Sequence, residues 1–175
     1  MDNNVQIALD EFKDYVIKQS RANLTRKDKN VNRKLYNSLK GSARQLPNSI
    51  EIFFSMEEYG EYQDKGVKGK NSTAKAPDSP FRFGSGTGRK GGLTENINKW
   101  VKQRRFQFKD KKSGKFMSYD STAFLITRSI YNKGIKPSLF FTKPFEAAFK
   151  KLPTELVQKY GLDAQQQFID IIKQP

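Results

Sequence analysis

The sequence predicts an α+β chain with a long N-terminal helix, a small set of strands and a long glycine-rich basic loop. Three observations carry this prediction. Val5, Leu9, Phe12 and Val16 recur at helical spacing near the N-terminus. Ser49 to Met56 alternates, with Ile50, Ile52, Phe54 and Met56 on one side and Glu51, Phe53 and Ser55 on the other. After that strand comes a 27-residue segment, 66–92, that holds seven of the chain's 12 glycines and six Lys or Arg against the single acid Asp78.

Taken in order, the first helix runs from residue 4 to about 22, with Asp10, Glu11, Lys13 and Lys18 on its polar side. Ser20 to Asn30 is polar and charged and reads as a loop or frayed end. Val31, Leu35 and Leu39 form the stripe of a second, shorter helix that Gly41 is placed to terminate. Pro47-Asn48 supplies the turn into the alternating strand. Glu57 to Lys65 reads as a short helix ending at Gly66, with Tyr59 and Tyr62 on one face.

The segment 66–92 is too long for an ordinary connection and reads as an exposed basic arm that orders on a partner; a merely disordered surface loop is the alternative. Leu93, Ile97, Trp100, Val101 and Arg104 restore helical spacing, with Thr94 as the candidate N-cap. Phe106-Gln-Phe108 and Lys115-Phe-Met117 flank Asp110 to Gly114 as a hairpin. Ser118 or Asp120 caps a helix through Ala123, Phe124, Ile126, Ile130 and Tyr131, stopped at Gly134; its wide apolar arc marks it as the central one. Leu139-Phe-Phe141 reads as a strand, and Pro144 opens a helix through Phe145, Ala148 and Phe149. Pro153, Gly161 and Pro175 divide the tail into short helical pieces. The organisation expected is an α+β domain over 1–150, with the extended arm at 66–92, and a short helical tail over 151–175.

Composition narrows the chemistry. The 175 residues contain no Cys and no His, which removes disulfides, the usual zinc sites and the histidine-dependent nucleophile arrangements. An enzyme is not expected, and neither is a cofactor. The first residues lack the basic and apolar regions of a secretory signal, and the apolar runs are too short for a bilayer, so a soluble product of a cytoplasm with no membrane contact is expected. Lys and Arg number 33 against 18 Asp and Glu, a formal +15 that points first to nucleic acid and otherwise to a merely solvated basic surface.

Two chemical motifs fail on context. Gly86-Thr-Gly88-Arg-Lys-Gly91 matches G-x-G-x-x-G, but Phe81-Arg-Phe83 is too short to be the buried strand that dinucleotide binding requires. Asp78 with Asp110-Lys111-Lys112 loosely matches a metal nuclease, but one carboxylate lies in the arm and the other at a hairpin tip. A third constellation is stronger. Lys99, Lys102, Arg104, Arg105, Lys109, Lys111, Lys112 and Lys115 crowd one segment, with Phe106 and Phe108 among them. Such a pattern serves a single strand if the rings are exposed. The conservative expectation is a basic ribbon with its phenylalanines inward and a sequence-independent phosphate surface outward.

Several segments together resemble the head–tail joining (neck or tail-completion) proteins of tailed bacteriophages. Val31, Leu35 and Ser38 match a Val-x-x-x-Leu-x-x-Ser helix, and Tyr59, Tyr62, Asp64 and Gly66 match a Tyr-x-x-Tyr-x-acid-x-Gly segment after a strand. Pro144, Phe145 and Ala148 match a Pro-Phe-x-x-Ala element that opens the last helix. The resemblance spans about Val5 to Lys150.

It implies a small sheet of a few strands packed by helices, and a structural virion protein. Copies would form a ring at the neck between the portal-side adaptor and the tail, around the DNA channel and in transient, non-specific contact with genomic DNA. On that reading Lys68, Lys70, Arg82, Phe83, Arg89 and Lys90 of the arm contact a neighbouring subunit or ring. Arg104, Arg105, Lys109, Lys111 and Lys112 face DNA or an acidic partner. The alternative from another class is a nucleic-acid-binding protein acting free in solution, and a more distant one is the metal nuclease.

Overall fold

In a computed structural model, residues 3–29, 33–46, 49–85, 92–152 and Leu156 are described. They form α1 (Asn3–Arg26), α2 (Lys34–Ser38), β1 (Lys40–Gln45), β2 (Ile50–Ser55), α3 (Tyr59–Lys65), β3 (Val67–Lys68), α4 (Gly92–Gln103), α5 (Tyr119–Lys133), β4 (Gly134–Ile135) and α6 (Thr142–Phe149). The chain divides into two compact units, one from Met1–Asp64 with Leu139–Pro175 and the other from Lys65–Ser138.

The first unit is built on α1. Leu9, Phe12, Val16 and Leu24 form its buried stripe, and Ser20 takes the same stripe's remaining place with no exposure. The helix therefore runs to Arg26, where a loop from Ser20 was expected. A buried serine keeps the stripe's register while hiding it from a hydrophobicity pattern. Against this stripe lie Leu35, Leu39, Phe54, Phe140, Phe141 and Phe145. Phe12 meets Phe145 edge-on at 5.5 Å, and Phe54 meets Phe141 at 5.2 Å and 73°. Such pairs each add about 0.5–1.5 kcal/mol beyond the area they bury.

β2 is the expected strand, with Phe54 buried and Phe53 exposed. Its partner was not expected. Gly41 does not stop a helix but lies inside β1, opposite Phe54 in an antiparallel ladder that runs from Lys40↔Ser55 to Gln45↔Ile50. An added Cβ on Gly41 would sit 3.0 Å from the Phe54 ring, so the small residue lets the two strands close over the core. Pro47 and Asn48 lie outside the described residues; on either side of them the Leu46 N–H donates to the Ser49 carbonyl at 2.8 Å.

Leu139-Phe-Phe141 is a turn and not a strand. Leu139 takes φ 50°, its N–H donates to the Asp64 carbonyl, and Phe141 is the N-cap position of α6. A three-residue apolar run carries no period to distinguish the two. Pro144 falls in the first turn of α6, where its missing N–H costs no helical bond. Of the tail beyond Leu152, only Leu156 is among the described residues, and it is buried in the same core.

The second unit holds β3 and β4, paired antiparallel through Val67↔Ile135 and Lys68↔Gly134, with α4 packed on α5. The segment expected to be an exposed arm is folded from 66 to 85. The Lys68 N–H donates to the Phe81 carbonyl, the Phe83 N–H to the Lys68 carbonyl, and the Lys70 N–H to Tyr131. Ser79 is buried and its hydroxyl donates to the Gly66 carbonyl at 2.7 Å. Backbone pairing and a buried serine hold this stretch without an apolar pattern, which is why it read as a loop. Residues 86–91 lie outside the described residues.

α4 begins at Gly92, which places Thr94 inside the helix and not at its cap. α5 has the expected caps: the Ser118 hydroxyl accepts from the Ser121 N–H, and Gly134 ends the helix at φ 83°. It is not enclosed on every side, however, for Phe124 is 58% exposed and Leu125 41%. Among the described residues, the buried apolar side chains of this unit are Val67, Ala76, Val101 and Ala123, none of them large.

Candidate nucleic-acid interface

The interface begins where α4 ends. Val101 turns inward with no exposure, and the neighbouring Trp100 stays 37% exposed. Arg105 adopts φ 50° and the Phe106 N–H donates back to the Val101 carbonyl, so the chain reverses tightly out of the helix. A ribbon follows. Lys109 and Phe116 form an antiparallel bridge, the Asp110 N–H donates to the Lys115 carbonyl, and the Met117 N–H to Phe108. The expected hairpin is present as this single bridge and its flanking bonds, without longer strands.

The tip is closed by Asp110. Its carboxylate accepts from the Ser113 N–H at 2.7 Å, the Ser113 hydroxyl at 3.0 Å and the Lys112 N–H at 3.0 Å. Those bonds, the Ser113 N–H foremost, hold the Asp110 carboxyl below the usual aspartate range. This carboxylate is committed to its own turn. Asp78, its proposed partner in a nuclease, is an exposed residue of the 66–85 segment, and among the described residues no three acidic side chains gather to hold a metal.

The ribbon is fastened to α5 where the Phe108 N–H donates to the buried Thr122 hydroxyl at 3.3 Å. The phenylalanines do not turn inward as expected. Phe106 is 40% exposed, Phe108 38% and Phe116 65%. Trp100 and Phe106 lie 6.2 Å apart at 52°, and Phe106 and Phe108 lie 5.2 Å apart at 79°. Neither pair stacks face to face. Lys109 places its ammonium 5.0 Å from the centre of the Phe116 ring. Arg104, Arg105, Lys109, Lys111 and Lys112 are all exposed along this ribbon.

From the sequence, Trp100 reads only as part of the helical stripe and Phe116 only as part of the hairpin, with no binding role for either. The signal that was available is density: eight cations between Lys99 and Lys115 leave too few apolar neighbours to bury three phenylalanines and a tryptophan.

The residues expected to contact a neighbour form a second patch in the same unit. Lys68 bridges to Arg82, and the Arg82 guanidinium donates to the Lys70 carbonyl at 3.3 Å. Phe83 meets Tyr131 at 5.7 Å, with the Lys70 ammonium 5.9 Å from the same Tyr131 ring. The fold thus sets Phe83 and Lys70 against Tyr131, with Lys68 and Arg82 tied to the same stretch by backbone pairing and the bond to Lys70. Arg89 and Lys90 lie outside the described residues.

Charge follows the division of the chain. Residues 65–138 carry 18 Lys and Arg against four Asp and Glu, a net of +14. The remaining residues carry 15 against 14, a net of +1. Nearly all of the excess belongs to the unit that bears the ribbon. In the other unit an open groove runs along α1, but Arg21 there donates to the Tyr36 and Leu39 carbonyls and lies over the Tyr36 ring, and none of the contact residues expected from the sequence lines it.

No described helix is long and apolar enough to cross a membrane. No family model, curated protein or solved structure matches the chain.

Proposed function

We propose that the chain is a non-enzymatic structural protein of a tailed-phage virion, one subunit of a ring at the head–tail junction. In this reading the ring joins the portal-side adaptor to the tail and surrounds the DNA channel. The observation that carries it is the segregation of charge, +14 in residues 65–138 against +1 elsewhere. Copies closing into a ring multiply that charge, and a polyanion in the lumen or an acidic neighbouring ring offsets it. The exposed ribbon cations then meet phosphate without reading sequence.

The resemblance gains physical content from Asp64. The acid of the Tyr-x-x-Tyr-x-acid-x-Gly segment binds the start of α6, the helix that carries Pro144, Phe145 and Ala148, so two distant matching elements belong to one structural device. Native mass spectrometry of the protein, alone and mixed with portal-side and tail proteins, tests the ring. A closed oligomer in the mixture is expected; monomer under both conditions overturns the reading.

One observation favours a second reading, a nucleic-acid-binding protein that acts free in solution. Exposed rings interleaved with cations suit a ligand that an isolated subunit can grip. That reading requires tight, steeply salt-dependent binding by the monomer.

A further inference from the structure

We infer that the ribbon at the end of α4 is a binding surface for unpaired nucleic acid, with Trp100, Phe106 and Phe108 as stacking platforms and the adjacent cations on phosphate. This goes beyond the ring reading and does not need the ring, since every residue invoked lies on one subunit.

Two independent features point the same way. The first is exposure. A unit whose buried apolar side chains, among the described residues, are Val67, Ala76, Val101 and Ala123 nevertheless leaves Trp100, Phe106, Phe108 and Phe116 between 37% and 65% exposed. Large rings left in water are surface waiting for a ligand. The second is charge, which selects the ligand. A net of +14 in this unit repels a second copy of the same surface and attracts a polyanion.

Paired DNA satisfies the cations but not the rings, because its base faces are already stacked and only phosphates, sugars and base edges are presented. Unpaired bases satisfy both. The Trp100–Phe106 and Phe106–Phe108 pairs are tilted and edge-on, so neither is a face-to-face stack and each pair covers less ring face than a stack would. Stacking of this kind tolerates any base, and it places phosphates within reach of Arg105, Lys109 and Lys111 on the same ribbon.

The chain has one tryptophan, Trp100, which makes the test direct. The full-length protein is titrated with oligothymidylate of about 12 nucleotides, and separately with a duplex of equal phosphate count, while Trp100 emission is followed. Quenching by the single strand and none by the duplex is the expected result. Phe106→Ala and Phe108→Ala, each first shown by circular dichroism to keep the parent's fold, should each weaken the single strand roughly tenfold and leave duplex affinity and the salt slope alone. Lys109→Gln with Lys111→Gln should lower the salt slope on both ligands.

Equal affinity for both ligands with unchanged Trp100 emission overturns the inference and leaves a phosphate-facing ring subunit standing. A shift of Trp100 emission with protein concentration alone overturns it too, by assigning the rings to contacts between copies. Binding to neither ligand overturns both the inference and the DNA-facing part of the proposed function.

Discussion

Asp64 caps the helix that Thr142 begins. Its carboxylate, buried at 2% exposure, accepts from the Phe141 N–H at 2.8 Å and the Thr142 N–H at 3.2 Å, and the Thr142 hydroxyl donates to its second oxygen. The first backbone donors of a helix have no partner within it, and a negative charge there also meets the positive end of the helix dipole. Two parts of the first unit, seventy-eight residues apart in sequence, are joined by these bonds.

Asp64→Ala leaves the buried Phe141 N–H with no acceptor, a loss of about 1–3 kcal/mol, and more where the lost partner is charged. Asp64→Asn keeps one oxygen acceptor and should lose less. Urea unfolding followed by circular dichroism ranks the two variants against the parent. Equal stability of all three would show that the cap contributes nothing.

Phe145 is the hub of the aromatic core. It lies against Phe12, Phe54, Phe141 and Phe149 and is 2% exposed. Phe145→Ala should cost about 3–5 kcal/mol, read as a lowered urea midpoint with an unchanged slope. Phe53, one residue from buried Phe54 but 37% exposed, provides the control, and its alanine variant should stay within about 0.5 kcal/mol of the parent.

Gly134 combines two demands on one residue. It ends α5 at φ 83°, and a Cβ there would collide with the Val67 carbonyl across the β3–β4 pair. Gly134→Ala therefore pays for backbone strain and a forced shift together, more than the roughly 1 kcal/mol that a positive φ alone costs. Gly114 isolates the first demand, with φ 67° and nothing within 4 Å of its added Cβ. Thermal unfolding of the two alanine variants should show the larger drop at Gly134.

Much of this fold was legible where side-chain period and cap chemistry act locally. The α1 stripe, the alternation of β2 and the Ser118 and Gly134 caps of α5 are of that kind. β1 was not legible, because Lys-Gly-Ser-Ala-Arg-Gln has no apolar alternation and its strand state comes from pairing with β2. The 66–85 segment was missed for a related reason, its order resting on backbone bonds and the buried Ser79. In the candidate interface the cations were legible as a cluster and the exposure of the rings was not. Whether Phe106 and Phe108 face inward depends on how much core the surrounding unit offers, and that is a tertiary property.

The ribbon tip makes a prediction about acid. Asp110 is held below the usual aspartate range by the Ser113 N–H, then by the Ser113 hydroxyl and the Lys112 N–H, all of which favour the charged carboxylate. A depressed folded-state value means that the stabilisation is fully present above the ordinary aspartate pKa and is lost as the pH falls through the lower, folded one. The tip should therefore stay closed at neutral and mildly acidic pH and open only in strong acid. Nuclear magnetic resonance of the Ser113 amide checks this, since its shift should titrate with a midpoint below that of a free aspartate. Asp110→Ala should abolish that titration and loosen residues 110–114 while leaving the melting temperature unchanged, because the carboxylate is exposed and its bonds are local. A Ser113 shift that titrates at the ordinary aspartate value would show that the turn is not held by this charge.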